Sequence, residues 1–243
     1  MTSLLHVDSS PSEESVSRRL TALFARVWYD LYGTAGYVRR DVVADPVPLV
    51  GPAYVALGTR LESHGVIARA DVSAYVADQG EEREWALTRP LVEEVLDADT
   101  ILLGVPMHNF SVPAALKAWI DRITFPGMYV DPDTGDSLLR GTRVVAVLAR
   151  GGGYGPGTPR AAYDFQEPYL RTYFGDLGVA EEDLHVVCAE FTRTRDIPAL
   201  ARFADLTDSS YAAAEEDVRR LAAGYRPAGG GATLRAASDP ARS

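Results

Sequence analysis

The fold is decided by one stretch near the middle of the chain, Thr100-Ile101-Leu102-Leu103-Gly104-Val105-Pro106-Met107-His108-Asn109-Phe110-Ser111-Val112-Pro113. Its first half is apolar without polar alternation, which is typical of a strand buried on both faces of a parallel sheet. Polar and aromatic residues follow Pro106 at once. Ser111 is expected to cap the next helix, with Pro113 in its first turn. Residues 107–110 are therefore predicted to lie at the carboxyl end of a buried strand, where open α/β sheets bind ligands.

Four further segments have the composition of strands, and polar loops and helical segments separate them. These segments are residues 4–7, 37–42, 143–149 and 184–189. Apolar residues recur at helical spacing between them, as at Leu20, Phe24, Val27 and Leu31. Strands that alternate with helices predict an α/β fold with a five-stranded, doubly wound parallel sheet and helices on both faces.

The predicted domain is a single one, spanning residues 1–226. Residues 51–86 are predicted to be a helical insertion, because connections in doubly wound folds usually contain only a few residues. An acidic run at 79–84 interrupts the apolar pattern, so a helix is expected to resume at 87. A terminal amphipathic helix is expected at 198–223. The polar and glycine-rich residues 227–243 predict a disordered tail.

Composition limits the classes of partner. The formal net charge is -10 and the pI is about 4.9, which argues against nucleic acid or an anionic membrane as the main partner. The single cysteine excludes an internal disulfide framework. No stretch approaches the roughly 18 apolar residues of a membrane span, so a cytoplasmic location is expected.

Three loops follow the carboxyl ends of predicted strands, at residues 9–17, 107–110 and 150–153. They open on the same edge of a parallel sheet, so they are expected to converge on one ligand. The first is rich in serine and precedes a helix, which suits a terminal phosphate; an ordinary helix cap is the alternative. Because it lacks both G-x-G-x-x-G and G-x-x-x-x-G-K-[ST], a phosphate monoester fits better than a dinucleotide or a nucleoside triphosphate.

The other two loops suit the ring of such a ligand. Met107 and Phe110 offer apolar contacts and Asn109 a polar one, with packing in the core as the alternative. The glycine-rich loop lets backbone N–H groups approach a flat ligand, and Arg150 is expected to add positive charge that suits a reduced flavin. A flexible loop with a solvent-facing arginine is the alternative.

Taken together, the motifs resemble a known family, the FMN-dependent NADH:quinone oxidoreductases called azoreductases. Pro106-Met107-His108-Asn109-Phe110, followed by Leu116-Lys117, is similar to their P-M-Y-N-F pattern with a later L-K. Arg150-Gly151-Gly152 is similar to their S-R-G-G loop, and Ser15-Val16-Ser17 to their S-x-S phosphate loop.

The resemblance implies a flavodoxin-like fold with strand order 2-1-3-4-5 and FMN bound without a covalent link. It implies two-step hydride transfer from NADH or NADPH, through FMN, to a quinone or an azo compound. The insertion and the departures from the family pattern leave a specialised biosynthetic substrate open. It also implies a homodimer with the active site at the interface. A flavodoxin-like electron carrier without nicotinamide turnover is the alternative from a different class, and a protein with a degraded, redox-inactive site is a third.

Carried over by position, the resemblance assigns site residues. It gives the phosphate to Ser10, Ser15, Val16 and Ser17. It gives the ring and ribityl chain to Met107, His108, Asn109 and Phe110, and the pyrimidine edge to Ala149, Arg150, Gly151 and Gly152. Two positions depart from the family, since His108 replaces its usual tyrosine and Ala149 its usual serine.

His108 is the candidate catalytic residue. Quinone reduction takes up protons, and an imidazole can donate one near neutral pH. The alternative is a ribityl or backbone contact through the main chain alone, with the side chain in solvent. No group of side chains has the spacing of metal ligands, so no metal is expected.

Overall fold

Five parallel strands form the sheet of the computed structural model, which describes residues 2–224. They are β1 (Leu4–Asp8), β2 (Tyr37–Asp41), β3 (Thr100–Pro106), β4 (Arg143–Ala149) and β5 (Leu184–Ala189). Their order across the sheet is β2-β1-β3-β4-β5, so the predicted order 2-1-3-4-5 is confirmed. The tail predicted at 227–243 lies outside the described residues.

Helices in the described residues cover both faces of the sheet. They are α1 (Val16–Tyr32), α2 (Pro52–Glu62), α3 (Gln79–Asp97), α4 (Ala114–Ile123), α5 (Glu167–Asp176) and α6 (Ala204–Ala223). On one face, Phe24 and Trp28 of α1 share a core with Val218 of α6 and with Leu102 of β3. Ile101 points into the larger core on the opposite face, under α2 to α5. None of these described helices is long and apolar enough to cross a membrane.

The apolar runs that follow the first residue of β3 and of β4 are explained by these two cores. Successive side chains of a strand point to opposite faces, so both faces must be apolar when helices cover each of them. In β3, Leu102 lies in one core while Ile101 and Leu103 lie in the other. In β4, Val145 and Val144 divide in the same way.

The connection between β2 and β3 is helical, as predicted, but its last helix begins earlier than expected. α3 starts at Gln79, because Asp78 accepts hydrogen bonds from the amides of Gly80 and Glu81 at 2.7 and 3.0 Å. Acidic side chains are favourable in a first turn, near the positive end of the helix dipole. The acidic run is thus a helix start and not a break. That 51–86 is an insertion stays a prediction.

Two other helix starts differ from the prediction. α4 begins at Ala114 with Pro113 as its N-cap, so Ser111 is not the cap. The reason is that the Ser111 main chain pairs with a residue of the preceding loop. The terminal α-helix begins only at Ala204, and a 3₁₀ helix, Pro198–Phe203, precedes it.

Candidate functional site

Main-chain hydrogen bonds join the three loops at the carboxyl edge of the sheet. The Ser9 amide donates to the Gly104 carbonyl at 3.1 Å, which joins the loop after β1 to β3. The Met107 amide donates to the Ala149 carbonyl at 2.8 Å, which joins the ends of β3 and β4. The strands are paired up to these points, so the loops that follow them open side by side.

The loop after β1 leads into the N-terminus of α1. Ser15 caps this helix, since its Oγ accepts the Arg18 amide at 3.3 Å. Ser17 is completely buried, and its Oγ lies 3.3 Å from that of Ser15. The amides of Val16 and Ser17 have no acceptor within the helix, because no carbonyl precedes them there. The helix start therefore presents both N–H groups and hydroxyls, a donor set suited to an anion.

Arg18 holds the same loop from the helix side. Its Nε and Nη2 donate to the Ser10 carbonyl at 3.1 and 2.6 Å, and its Nη1 donates to Asp41 at 2.7 Å. Ser9 has a separate role, because its hydroxyl donates to the Gly104 carbonyl at 2.7 Å. No motif in the sequence points to Arg18, which is one arginine among several in an ordinary helical pattern.

A buried carboxylate immediately precedes this loop. Asp8 is 1% exposed and accepts hydrogen bonds from Thr21 at 3.0 Å and Arg39 at 2.9 Å. The Nε2 atom of His6 lies 3.2 Å from its Oδ1. Burial alone would raise the pKa of Asp8, but the neighbouring His6 ring, helped by the hydrogen bonds from Arg39 and Thr21, lowers it to about 2. Asp8 therefore stays ionised and ties β1 to β2 and α1.

The loop after β3 reverses direction through two left-handed residues. The amides and carbonyls of His108 and Ser111 pair reciprocally at 3.0 Å. Between them, Asn109 and Phe110 have φ angles of 48° and 74°. Left-handed backbone is unfavourable for a bulky L-residue, and such strain is concentrated at functional sites. In this conformation the Phe110 side chain is exposed, so the alternative of packing in the core is wrong for this residue.

His108 is exposed in this loop, and its main-chain N–H is already used by Ser111. The Met107 amide is likewise used, by Ala149. A ligand at this edge can therefore reach His108 through its imidazole or its carbonyl but not through its amide.

Arg150 is buried and does not face solvent. It is 1% exposed and donates to Asp164 at 2.8 Å, to Gln166 at 3.2 Å and to Glu190 at 3.3 Å. A carboxylate oxygen of Glu167 lies 3.6 Å away. The alternative of a solvent-facing arginine is wrong. The guanidinium also does not offer the expected free positive charge to a ligand. Three carboxylates surround it and compensate its charge.

The glycines after β4 contact the segment that follows β5. The Phe191 amide donates to the Gly152 carbonyl at 3.3 Å, and a Cβ at Gly153 would overlap the Phe191 ring. The amides of Gly151 and Gly152 donate to no described residue. Two N–H groups with no acceptor among the described residues are thus left at this edge of the sheet.

Side chains distant in sequence hold this third loop. Gln166 is fully buried and donates to the Val105 carbonyl at 3.1 Å, while Glu190 accepts the Tyr154 amide at 2.8 Å. Asp164 accepts the Gln166 amide at 3.0 Å. These residues could not be predicted from the sequence, because no spacing motif connects them to Arg150.

Comparison with known proteins places this geometry in a family. Residues 2–208 match the family described as having a flavodoxin-like fold. An FMN-dependent NADH:quinone oxidoreductase of Nocardia farcinica is 41% identical over 226 residues, covering 93% of this chain and 100% of the relative. The chain belongs to the FMN-dependent NADH:quinone oxidoreductases. A second relative of that name, from Frankia casuarinae, is 37% identical over 90% of this chain and 98% of the relative. The predicted family is confirmed.

Solved structures share the fold of this oxidoreductase. An azoreductase of Bacillus anthracis strain Sterne superposes with a TM-score of 0.71 at 20% identity, covering 93% of this chain and 100% of that one. An FMN-dependent NADH-azoreductase of Bacillus anthracis strain Ames Ancestor, solved in complex with FMN, gives 0.67 at 22% identity. It covers 91% of this chain and 100% of that one. The family match and the strand order confirm the flavodoxin-like fold.

The two departures of this oxidoreductase from the family pattern lie in different surroundings. Ala149 is buried at the end of β4 and presents a methyl group. His108 is exposed beside the strained Asn109 and Phe110. Within residues 2–224, no three His, Cys, Asp or Glu side chains are grouped so that they would hold a metal ion.

Proposed function

We propose that this protein is an FMN-dependent NAD(P)H oxidoreductase that reduces quinones and azo compounds. The observation that carries the proposal is the 41% identity to an FMN-dependent NADH:quinone oxidoreductase along that relative's whole length. Bound FMN would supply the hydride-carrying chemistry between the nicotinamide and the acceptor.

The first loop would hold the FMN phosphate, through Ser10, Ser15, Val16 and Ser17. The two amides at the start of α1 and the half-buried Ser15 hydroxyl support this assignment, because they form a donor set at the positive end of a helix. Hydrogen bonds to a charged group contribute about 1.5–3 kcal/mol each. The donors present therefore fit a phosphate monoester.

The second and third loops would hold the ring and the ribityl chain. Met107 and Phe110 supply apolar surface, and Asn109 supplies a polar side chain. The amides of Gly151 and Gly152 would bond the pyrimidine edge, framed by Ala149 and Arg150. The role we propose for Arg150 is to hold this loop in place, since its charge is compensated by Asp164 and Glu190.

His108 would bind a substrate carbonyl or hydroxyl and donate a proton to it. The engagement of its amide and the exposure of its side chain support this role. An imidazole N–H is a general acid that can donate a proton to a substrate oxygen.

Assembly and location complete the proposal. We propose a homodimer with the active site at the interface, on the strength of the sequence resemblance, and the cytoplasmic location expected from the sequence. Sedimentation velocity of the purified full chain measures the assembly, and a monomer at micromolar concentration would contradict the dimer.

A spectroscopic experiment tests the function. The purified protein, supplied with FMN, should show flavin absorption, and NADH added without oxygen should bleach it rapidly. A quinone added next should restore the oxidised spectrum. A protein that takes up no FMN would refute the proposal, whereas bound FMN that NADH fails to reduce would leave an electron carrier.

A further inference from the structure

Three exposed aromatic residues lie in or against the loop after β3, beside the candidate flavin site. Phe110, Tyr163 and Phe165 are 42%, 53% and 57% exposed, and we name them the aromatic wall. Every other Phe, Tyr and Trp among the described residues is buried or half-buried. Among the described residues, these three are thus the only aromatic ones that are classed as exposed.

The aromatic wall is continuous with the loop after β3. The rings of Phe110 and Tyr163 have centroids 5.6 Å apart and are tilted by 35°. The Phe165 amide donates to the Phe110 carbonyl at 3.0 Å. Behind them, the buried Tyr154 ring lies 6.4 Å from that of Phe110. The wall therefore borders the residues assigned above to the flavin ring.

Buried polar groups keep the wall exposed. Asp164, between the two exposed rings of its own loop, bonds the buried Arg150 at 2.8 Å. Its other oxygen accepts the amides of Gln166 and Glu167 at 3.0 and 3.1 Å. On the other side, Phe110 is held in left-handed backbone, at φ 74°. Both halves of the wall are thus anchored, although burying large rings in the core would normally be favourable.

We propose that the aromatic wall makes Tyr163 and Phe165 specificity-determining residues that favour flat, fused-ring acceptors over single-ring acceptors. This inference rests on the proposed function. Offset-stacked and edge-to-face contacts between rings are favourable beyond the area they bury. A fused-ring quinone spans more of the wall than a one-ring quinone, so its binding is stabilised more by each aromatic side chain.

Variants at Tyr163 test the inference in the FMN-loaded enzyme. Tyr163→Ala should raise the Kd of anthraquinone sulfonate, measured from the perturbed flavin absorption, by about tenfold, which equals about 1.4 kcal/mol. Its KM should rise by a similar factor with a smaller change in kcat. The rise for p-benzoquinone should be clearly smaller. Tyr163→Phe, which keeps the ring, should preserve the preference.

Leu206→Ala is the matched control, because Leu206 is an exposed apolar residue on α6. It should leave the Kd of both quinones as in the unmodified protein. Losses that are equal for the two quinones, or absent for both, would overturn the inference.

The other candidate occupant of the wall is a second copy of the chain. If Tyr163→Ala turns a dimer into a monomer in sedimentation velocity and weakens the binding of both quinones equally, the wall serves only as a protein interface and the inference fails. The proposed function fails separately, if the unmodified protein with FMN reduces neither quinone with NADH. The Kd measurement needs no turnover, so the two failures are distinguishable.

Discussion

Ser17 is the residue that tests the phosphate assignment most directly. It is fully buried at the start of α1, and unlike Ser15 it does not cap the helix. Ser17→Ala should weaken FMN binding by about tenfold or more, because a hydrogen bond to a charged group contributes about 1.5–3 kcal/mol. Flavin fluorescence titration of the FMN-free protein measures this. Ser12→Ala, an exposed serine of the same loop, is the control.

The double variant Ser15→Ala with Ser17→Ala should lose more affinity, but part of that loss would come from a less stable α1 helix. Removal of a serine N-cap alone costs a helix about 1 kcal/mol. If Ser17→Ala binds FMN as tightly as the Ser12→Ala control, the phosphate lies elsewhere.

His108 tests the acid role at the substrate. In His108→Phe, reduction of the flavin by NADH should stay nearly normal, while reoxidation by a quinone should slow by about 100-fold, the lower end of general-acid contributions. Stopped-flow absorption separates the two half-reactions. Slowing of both to the same degree, or of neither, would show that His108 does not act on the acceptor.

Among the secondary-structure elements, the junction between β4 and β5 depends on a glycine. A Cβ at Gly153 would overlap the Phe191 ring, and Phe191 itself is held at φ 58°. Gly153→Ala should therefore destabilise the protein by about 1–3 kcal/mol, the usual cost of overpacking. Urea unfolding followed by circular dichroism measures the change.

Gly175→Ala is the control for this glycine. Gly175 lies in α5 with no atom within 4 Å of an added Cβ, so alanine should be neutral or stabilising there. Adding Phe191→Ala to Gly153→Ala should recover part of the loss. If Gly153→Ala is as stable as the unmodified protein, Phe191 is free to move aside.

The sheet could be predicted from sequence because its central strands are apolar on both faces. Residues such as Ile101 and Leu102 serve two different cores, which removes any polar alternation. Helix starts were harder to predict, because they depend on caps. Because Asp78 caps α3, the acidic run that follows it forms the first turn of that helix. The main-chain pairing of Ser111 prevents this serine from capping α4.

The positions of the site loops could be predicted, whereas their supports could not. A loop that follows a buried strand reaches the carboxyl edge whatever its sequence. The surroundings of Arg150, however, are set by Asp164, Gln166 and Glu190, which are 14 to 40 residues away along the chain. Only the packing of β4, β5 and the loop between them brings these groups together. A lone arginine beside glycines therefore suggested an exposed charge.

Across the whole molecule, arginines connect the layers through buried or half-buried ion pairs. Arg122 of α4 is fully buried and donates to Glu84 of α3 at 2.6 Å and to the Pro48 carbonyl at 3.0 Å. Asp8 is bonded by Arg39 of β2 at 2.9 Å and by Thr21 of α1. Such pairs stabilise the fold only while the carboxylates are ionised, so acid should loosen contacts between layers.

The effect of acid on the free energy of unfolding can be measured at Asp8. Its pKa is about 2 in the folded protein, against an ordinary value of 3.8. A carboxyl with a lowered folded-state pKa stabilises the protein above its unfolded-state pKa, and this contribution is lost as the pH falls. The loss should therefore occur between about pH 4 and pH 2 and amount to about 2 kcal/mol.

Comparison of Asp8→Asn with the unmodified protein isolates this contribution. In urea unfolding near neutral pH, Asp8→Asn should be less stable by about 2 kcal/mol or more, since it also leaves Arg39 without its buried partner. The gap between the two proteins should narrow as the pH falls from 4 to 2, because protonation removes the same charge from the unmodified protein. Asp45→Asn, at an 86% exposed side chain, should follow the unmodified protein throughout. A gap that stays constant over this pH range would mean that Asp8 holds β1, β2 and α1 together by packing and neutral hydrogen bonds, and not by its charge.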